Sequence, residues 1–181
     1  MDLIKLAGEA GFEHCCRLNT TALRCLPEVR EMCAADKCGA YGKSWVCPPA
    51  CGSLEHCARR IASYSGGVLV QTVGALEDDF DTDGIAAAQR LHKRRFEALV
   101  RQIRQLSTDC LPLSAGSCTR CEVCTYPDRP CRFPDKRLSS MEAYGLLVSE
   151  VCKASGLPYY RGEKTITFTS CILINEREDK K

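Results

Sequence analysis

Apolar residues recur at three- and four-residue intervals from Thr82 to Leu106, at Ile85, Ala88, Phe96, Leu99, Ile103 and Leu106, with His92 on the same stripe. That period predicts one long amphipathic helix with a core-facing side. His92 then reads as a packed core residue, and the basic residues Arg90, Lys93, Arg94, Arg101 and Arg104 read as a solvated face. Residues 1–10 suit a short helix, and Phe12 to Leu18 a strand carrying Cys15 and Cys16 on alternate faces. Ser53 to Tyr64 has a helix pattern, with Ser53 as N-cap and Gly66 past its end. Gly67 to Val73 has the composition of a buried strand, and Lys164–Thr169 with Ile172–Ile174 gives the strongest strand signal. Ser139-Ser140-Met141-Glu142 looks like a capping box that opens a helix stopped by Gly156 and Pro158.

Two stretches break this regularity. Cys25–Cys57 is interrupted by Gly39, Gly42, Pro48, Pro49 and Gly52; Cys110–Cys131 is set among Pro112, Gly116, Pro127, Pro130 and Pro134. Both are expected to be mostly loop. The fold predicted is α/β or α+β: a single compact domain over residues 1–181, with a small sheet flanked by helices and two cysteine-rich loops. No repeat and no long linker divides it.

Cysteine usage sets the chemistry. The chain has 15 cysteines in 181 residues, an odd number that internal disulfides cannot exhaust. The N-terminus lacks the basic start and the roughly 7–15 apolar residues of a signal peptide. No run approaches the roughly 18 apolar residues of a membrane span. A cytoplasmic location is therefore expected, where clustered thiols bind metal or catalyse more often than they cross-link. The net charge of +2 gives no case for nucleic acid or a membrane surface.

In the second loop, Cys118-x2-Cys121-x2-Cys124 wraps three thiols as a short run around one face of a cubane, as in bacterial ferredoxins. Cys131, six residues further on, has room to close the same 4Fe–4S cluster. Zinc is the rival, but structural zinc sites generally use two separated ligand pairs.

In the first loop, Cys33-x4-Cys38-x8-Cys47 is less standard and suggests a second cluster. Its fourth ligand is open between Cys51, Cys57 and none. Four cysteines would suit electron transfer; three would leave an iron free to bind a small ligand as a Lewis acid. Trp45 either shields a cluster or packs in the core. Tyr41, Lys43, His56 and Arg132 lie near enough in sequence to supply a proton or anchor an anion. Cys15, Cys16, Cys25, Cys110, Cys152 and Cys171 have no motif spacing, and Cys152 and Cys171 are expected in the core.

These motifs resemble a family of predicted metal-binding proteins, domain of unknown function 2284. The first signature is Cys33…Cys38-Gly39-Ala40-Tyr41-Gly42-Lys43-Ser44-Trp45-Val46-Cys47-Pro48-Pro49. The second runs from Ala115 through Cys118, Cys121 and Cys124 to Pro127 and on to Pro134, and the third is Ser140-Met141-Glu142-Ala143-Tyr144-Gly145. The resemblance implies iron–sulfur binding in anaerobic organisms, with Cys33, Cys38 and Cys47 in the first site, and supplies no reaction.

Three functions suit these features. One is an electron carrier or redox accessory protein with a redox partner. Another is an enzyme that binds a small, possibly sulfur-containing, substrate at an open iron. The third is a metal or cluster carrier that matures another enzyme.

Overall fold

The computed structural model describes residues 1–106 and 109–175. In chain order the elements are α1 (Leu3–Glu9), β1 (His14–Arg17), α2 (Pro27–Ala34), α3 (Leu54–Ala62), β2 (Gly66–Ala75), α4 (Thr82–Leu106), β3 (Cys110–Leu113), α5 (Val148–Ala154) and β4 (Thr165–Ile174). The four strands form one sheet in the order β1-β2-β4-β3, and every neighbouring pair is antiparallel. The class is α+β.

The two long central strands, β2 and β4, pair from Gly66↔Ile174 to Ala75↔Thr165. Both faces of the sheet are covered where Val68–Leu69 pairs with Cys171–Ile172, so the strands are apolar on both sides there, while Thr165–Thr169 of β4 alternates. Val68, Val70, Ile172 and Ile174 join Leu3, Phe96, Leu99 and Ile103, packing α1 and α4 on one face. Leu69, Cys171 and Leu173 join Ile61, Leu146 and Val151, packing α3 and α5 on the other. Cys16 packs with the second group and Cys15 with the first, as alternation in a strand requires.

The long helix keeps its predicted bounds, and His92 is fully buried in it. Its ring lies between the Thr72 hydroxyl at 3.0 Å and the Ser170 hydroxyl at 2.7 Å. Burial first, then Lys93 and Arg95, push its pKa down to about 3, so it is neutral in the fold.

Both cysteine stretches are mostly loop, as expected, and each holds a short element. The first contains α2, which begins at Pro27; proline fixes φ at the first helical position, where no N–H is needed. The second contains β3; Pro112 is tolerated there because β3 is an edge strand. One expectation needs correction: Ser140, in the expected capping box, does not open one continuous helix. Its hydroxyl accepts the Ala143 N–H at 3.0 Å, but only a 3-10 turn over Glu142–Tyr144 follows. Gly145, at φ 80°, turns the chain out before α5 starts at Val148.

Candidate metal centre

The second cysteine loop is an excursion closed at its neck. Ser114 N–H donates to the Ser139 carbonyl at 2.8 Å, and Met141 N–H to the Ser114 carbonyl at 3.1 Å. Between these points the chain is held from outside by α4. Lys93 Nζ donates to the Ser117 carbonyl at 2.6 Å and the Thr119 hydroxyl at 3.2 Å. Arg104 donates to the Asp135 carbonyl at 2.6 Å, and Arg120 pairs with Glu97 at 2.8 Å. Part of the basic face of α4 is therefore the loop's mounting, not a solvated stripe. Half-buried Lys93 also interacts with Cys118; burial lowers its pKa, and the Cys118 sulfur opposes the shift.

Cys118, Cys121, Cys124 and Cys131 line one small cavity. Its remaining wall includes Ser44, Trp45 and Val46 from the first loop, with Phe133 and Arg137 from the second. The Cys124 sulfur is the best-served acceptor. Burial acts to raise its pKa, but the N–H groups of Tyr126, Trp45 and Thr125 and the Ser44 hydroxyl outweigh it and hold the thiol below its ordinary value. Phe133 N–H also points at the Cys131 sulfur, at 3.4 Å. Sulfurs ringed by N–H donors are the surroundings that stabilise thiolate ligands and tune a bound cluster.

Trp45 joins the two loops rather than entering the core. Its ring packs edge-on to Tyr126 at 5.0 Å, the Arg137 guanidinium lies 5.8 Å from its centroid, and its N–H bonds the Arg129 carbonyl.

In the first loop Cys33 and Cys47 are half-buried and Cys38 is exposed. Cys33 sits in the last turn of α2. Burial raises the Cys33 pKa, with Glu142 and Cys38 adding to it. Burial also pushes Cys47 up to about 11 against the Ser44 hydroxyl, and Cys38, Cys33 and Cys118 raise it further. The loop's start is tied by Asp36, which accepts the Tyr41 N–H at 2.9 Å and pairs with Lys43 at 2.9 Å.

The third motif is the floor under this loop. The Cys33 thiol donates to the Glu142 carbonyl at 3.8 Å, and Cys51 Sγ lies 3.5 Å from the Ala143 carbonyl. The Gly145 carbonyl accepts the Leu26 N–H at 2.8 Å, holding the start of α2. These links cross about a hundred residues of sequence, and no local signal announces them.

Cys51 and Cys57 form a separate pair. Cys57 is fully buried and receives an Arg30 N–H at 3.2 Å, while the same nitrogen bonds the Gly52 carbonyl at 2.9 Å. The hydrogen bond from Cys51 holds Cys57 below its ordinary pKa and holds Cys51 above it. Cys57 also belongs to the apolar cluster of α3 and α5, so it is packed into the core, whereas Cys51 is only half-buried and borders a large cavity. Cys152 and Cys171 are buried as expected. His56 lines the same large cavity as Cys51, and Arg132 lies against the four-cysteine cavity, donating to the Val123 carbonyl at 2.9 Å. Lys43 and Tyr41 are engaged with Asp36 instead.

Among the described residues, no three His, Cys, Asp or Glu side chains converge closely enough to hold a single ion. Residues 16–174 match the family described as predicted metal-binding protein, domain of unknown function 2284. The chain belongs to that family. No curated protein and no solved structure matches it. The matched range contains all three motifs and every cysteine except Cys15. Among the described residues no helix is long and apolar enough to cross a membrane.

Proposed function

We propose that this metal-binding protein carries two 4Fe–4S clusters and acts as an electron carrier or redox accessory protein. Cys118, Cys121, Cys124 and Cys131 would hold one cluster, and Cys33, Cys38 and Cys47 with Cys51 the other. The observation that supports the reading is that Ser44, Trp45 and Val46, next to Cys47 in the first loop, line the same cavity as Cys118, Cys121, Cys124 and Cys131. Such clusters would supply reversible one-electron storage. The chain's own residues do the rest: Trp45 and Val46 wall the second set from water, and the N–H donors around Cys124 stabilise its thiolate.

Cys33 and Cys47 suit a metal on chemical grounds. Desolvated thiols such as these stay protonated unless a cationic group balances the charge on their sulfurs. Cys51 is preferred over Cys57 as fourth ligand because Cys57 is engaged in the core by Arg30. Both sets lie within one cooperative domain in this reading.

A redox partner would meet the second loop, where Val123 is 74% exposed and Phe133 42%, beside exposed Arg129 and Arg132. A small apolar patch with a basic rim suits the weak contacts of electron-transfer complexes.

The test is a potentiometric titration of anaerobically purified protein, followed by EPR. Two reduced clusters in neighbouring sites should broaden each other's signals through spin coupling. Two uncoupled signals, or no reduction at all, would sink the carrier reading. An enzymatic reading is favoured by one observation only, the large cavity beside Cys51.

A further inference from the structure

Between the N-terminus of α3, the end of α4 and the segment 134–139 lies a cavity of about 790 Å³. That falls in the range of small-molecule sites, about 300–1,000 Å³. Arg59 and Arg60 come to it from α3, Arg104 from α4, and Arg137 from the second cysteine loop. Asp135 is the one acidic residue among those lining it. None of the four arginines is within ion-pair distance of a carboxylate among the described residues. Arg60 donates to the Tyr144 hydroxyl at 3.3 Å, and Arg104 spends one nitrogen on a backbone carbonyl, so each keeps further donors.

Four like charges brought from three chain segments to one concavity repel one another, and the concave wall focuses their field. The first turn of α3, entered through Ser53 and His56, adds positive partial charge on the same wall. Such an arrangement is relieved by an anion and by little else. A planar guanidinium fork matches the paired oxygens of a carboxylate or phosphate.

We propose that this cavity binds a small anion carrying two or more negative charges, as carboxylates or phosphates. The site stands on its arginines and does not depend on which metal the cysteines hold. Cys51 lies in its wall, so a bound anion would rest against the edge of the first cysteine loop.

The test is isothermal titration calorimetry of the anaerobically purified full chain at low ionic strength. The probes are tricarballylate for polycarboxylates, glycerol phosphate for phosphate esters, and glycerol as the neutral control. At least one anion should bind with one site per chain while glycerol does not, and the better anion names the source. Arg59→Gln, at a side chain with no hydrogen bond or ion pair among the described residues, should weaken that binding roughly tenfold, the loss of a charge-assisted contact. Arg137→Gln should do the same, and Arg94→Gln, on the exposed face of α4, should leave it unchanged. Iron and sulfide content should match the parent protein in Arg59→Gln and Arg94→Gln, which separates this result from failure of the cluster reading. The proposal is overturned if neither anion binds at millimolar concentration, if only an acidic protein binds this face, or if Arg59→Gln and Arg137→Gln bind as Arg94→Gln does.

Discussion

Trp45 belongs to the first cysteine loop, yet its indole N–H donates to the Arg129 carbonyl oxygen of the second at 3.1 Å. Its own backbone N–H serves the Cys124 sulfur. One residue therefore both clamps the loops together and walls the four-cysteine cavity.

Trp45→Phe keeps an aromatic ring against Tyr126 and loses only the indole hydrogen bond. A loss of about 1 kcal/mol in anaerobic urea unfolding is expected. Trp45→Ala removes the wall as well, so the visible absorption of the metal centre should bleach severalfold faster in air than in Trp45→Phe. Equal bleaching in both would show that the ring does not shield the site.

Gly145 holds Leu26 from a left-handed turn, and a Cβ added there would meet Leu54 Cδ1 at 2.5 Å. The left-handed conformation alone costs an L-residue about 1–2 kcal/mol. Gly145→Ala should lower stability by at least that much, and because the turn underlies Cys33 and Cys51, metal should leave the first site before the second. Chelator-challenge kinetics with iron analysis would follow that order.

His92 gives a pH dependence of definite sign. Its folded pKa is about 3 against an ordinary value of 6.5, so the unfolded chain binds the extra proton between those values. Stability should therefore fall as pH drops through 6.5 and keep falling towards 3. From pH 7.5 to 5.5 the loss from this one group is about 1.4 kcal/mol. His92→Gln should be less stable than the parent at the higher pH, and the gap should narrow by that amount at the lower one. A constant gap in urea midpoints would mean that His92 is not neutral in the fold.

Cys51→Ser and Cys57→Ser separate the candidate fourth ligands. Cys51→Ser should reduce iron retention at the first site. Cys57→Ser should keep the iron and lose about 1–3 kcal/mol, because a smaller, more polar atom replaces a sulfur packed in the apolar cluster. Iron content and unfolding midpoints measured on the same preparations would show the exchange; the reverse pattern would make Cys57 the ligand.

Much of the fold was legible in local pattern. The α4 stripe, the Ser53 cap and the apolar runs of β2 and β4 each carry their own signal within a few residues. Short elements were not: Pro27 opens a helix and Pro112 sits in an edge strand, yet both have the same local look as loop breakers. The motif spacing picked out the four cysteines that share a cavity. It could not reveal that Ser44, Trp45 and Val46 complete that cavity, nor that the 3-10 turn at Glu142–Tyr144 carries the first loop. Those relations are made by contacts between segments far apart in sequence. The arginines of the large cavity come from three segments, and only folding places them on one wall.

The most direct test of the cluster reading is the iron, acid-labile sulfide and zinc content of protein purified without oxygen. Two 4Fe–4S clusters predict about eight iron and eight sulfide per chain, falling to about four of each in Cys118→Ser. One or two zinc ions per chain with no sulfide would contradict it.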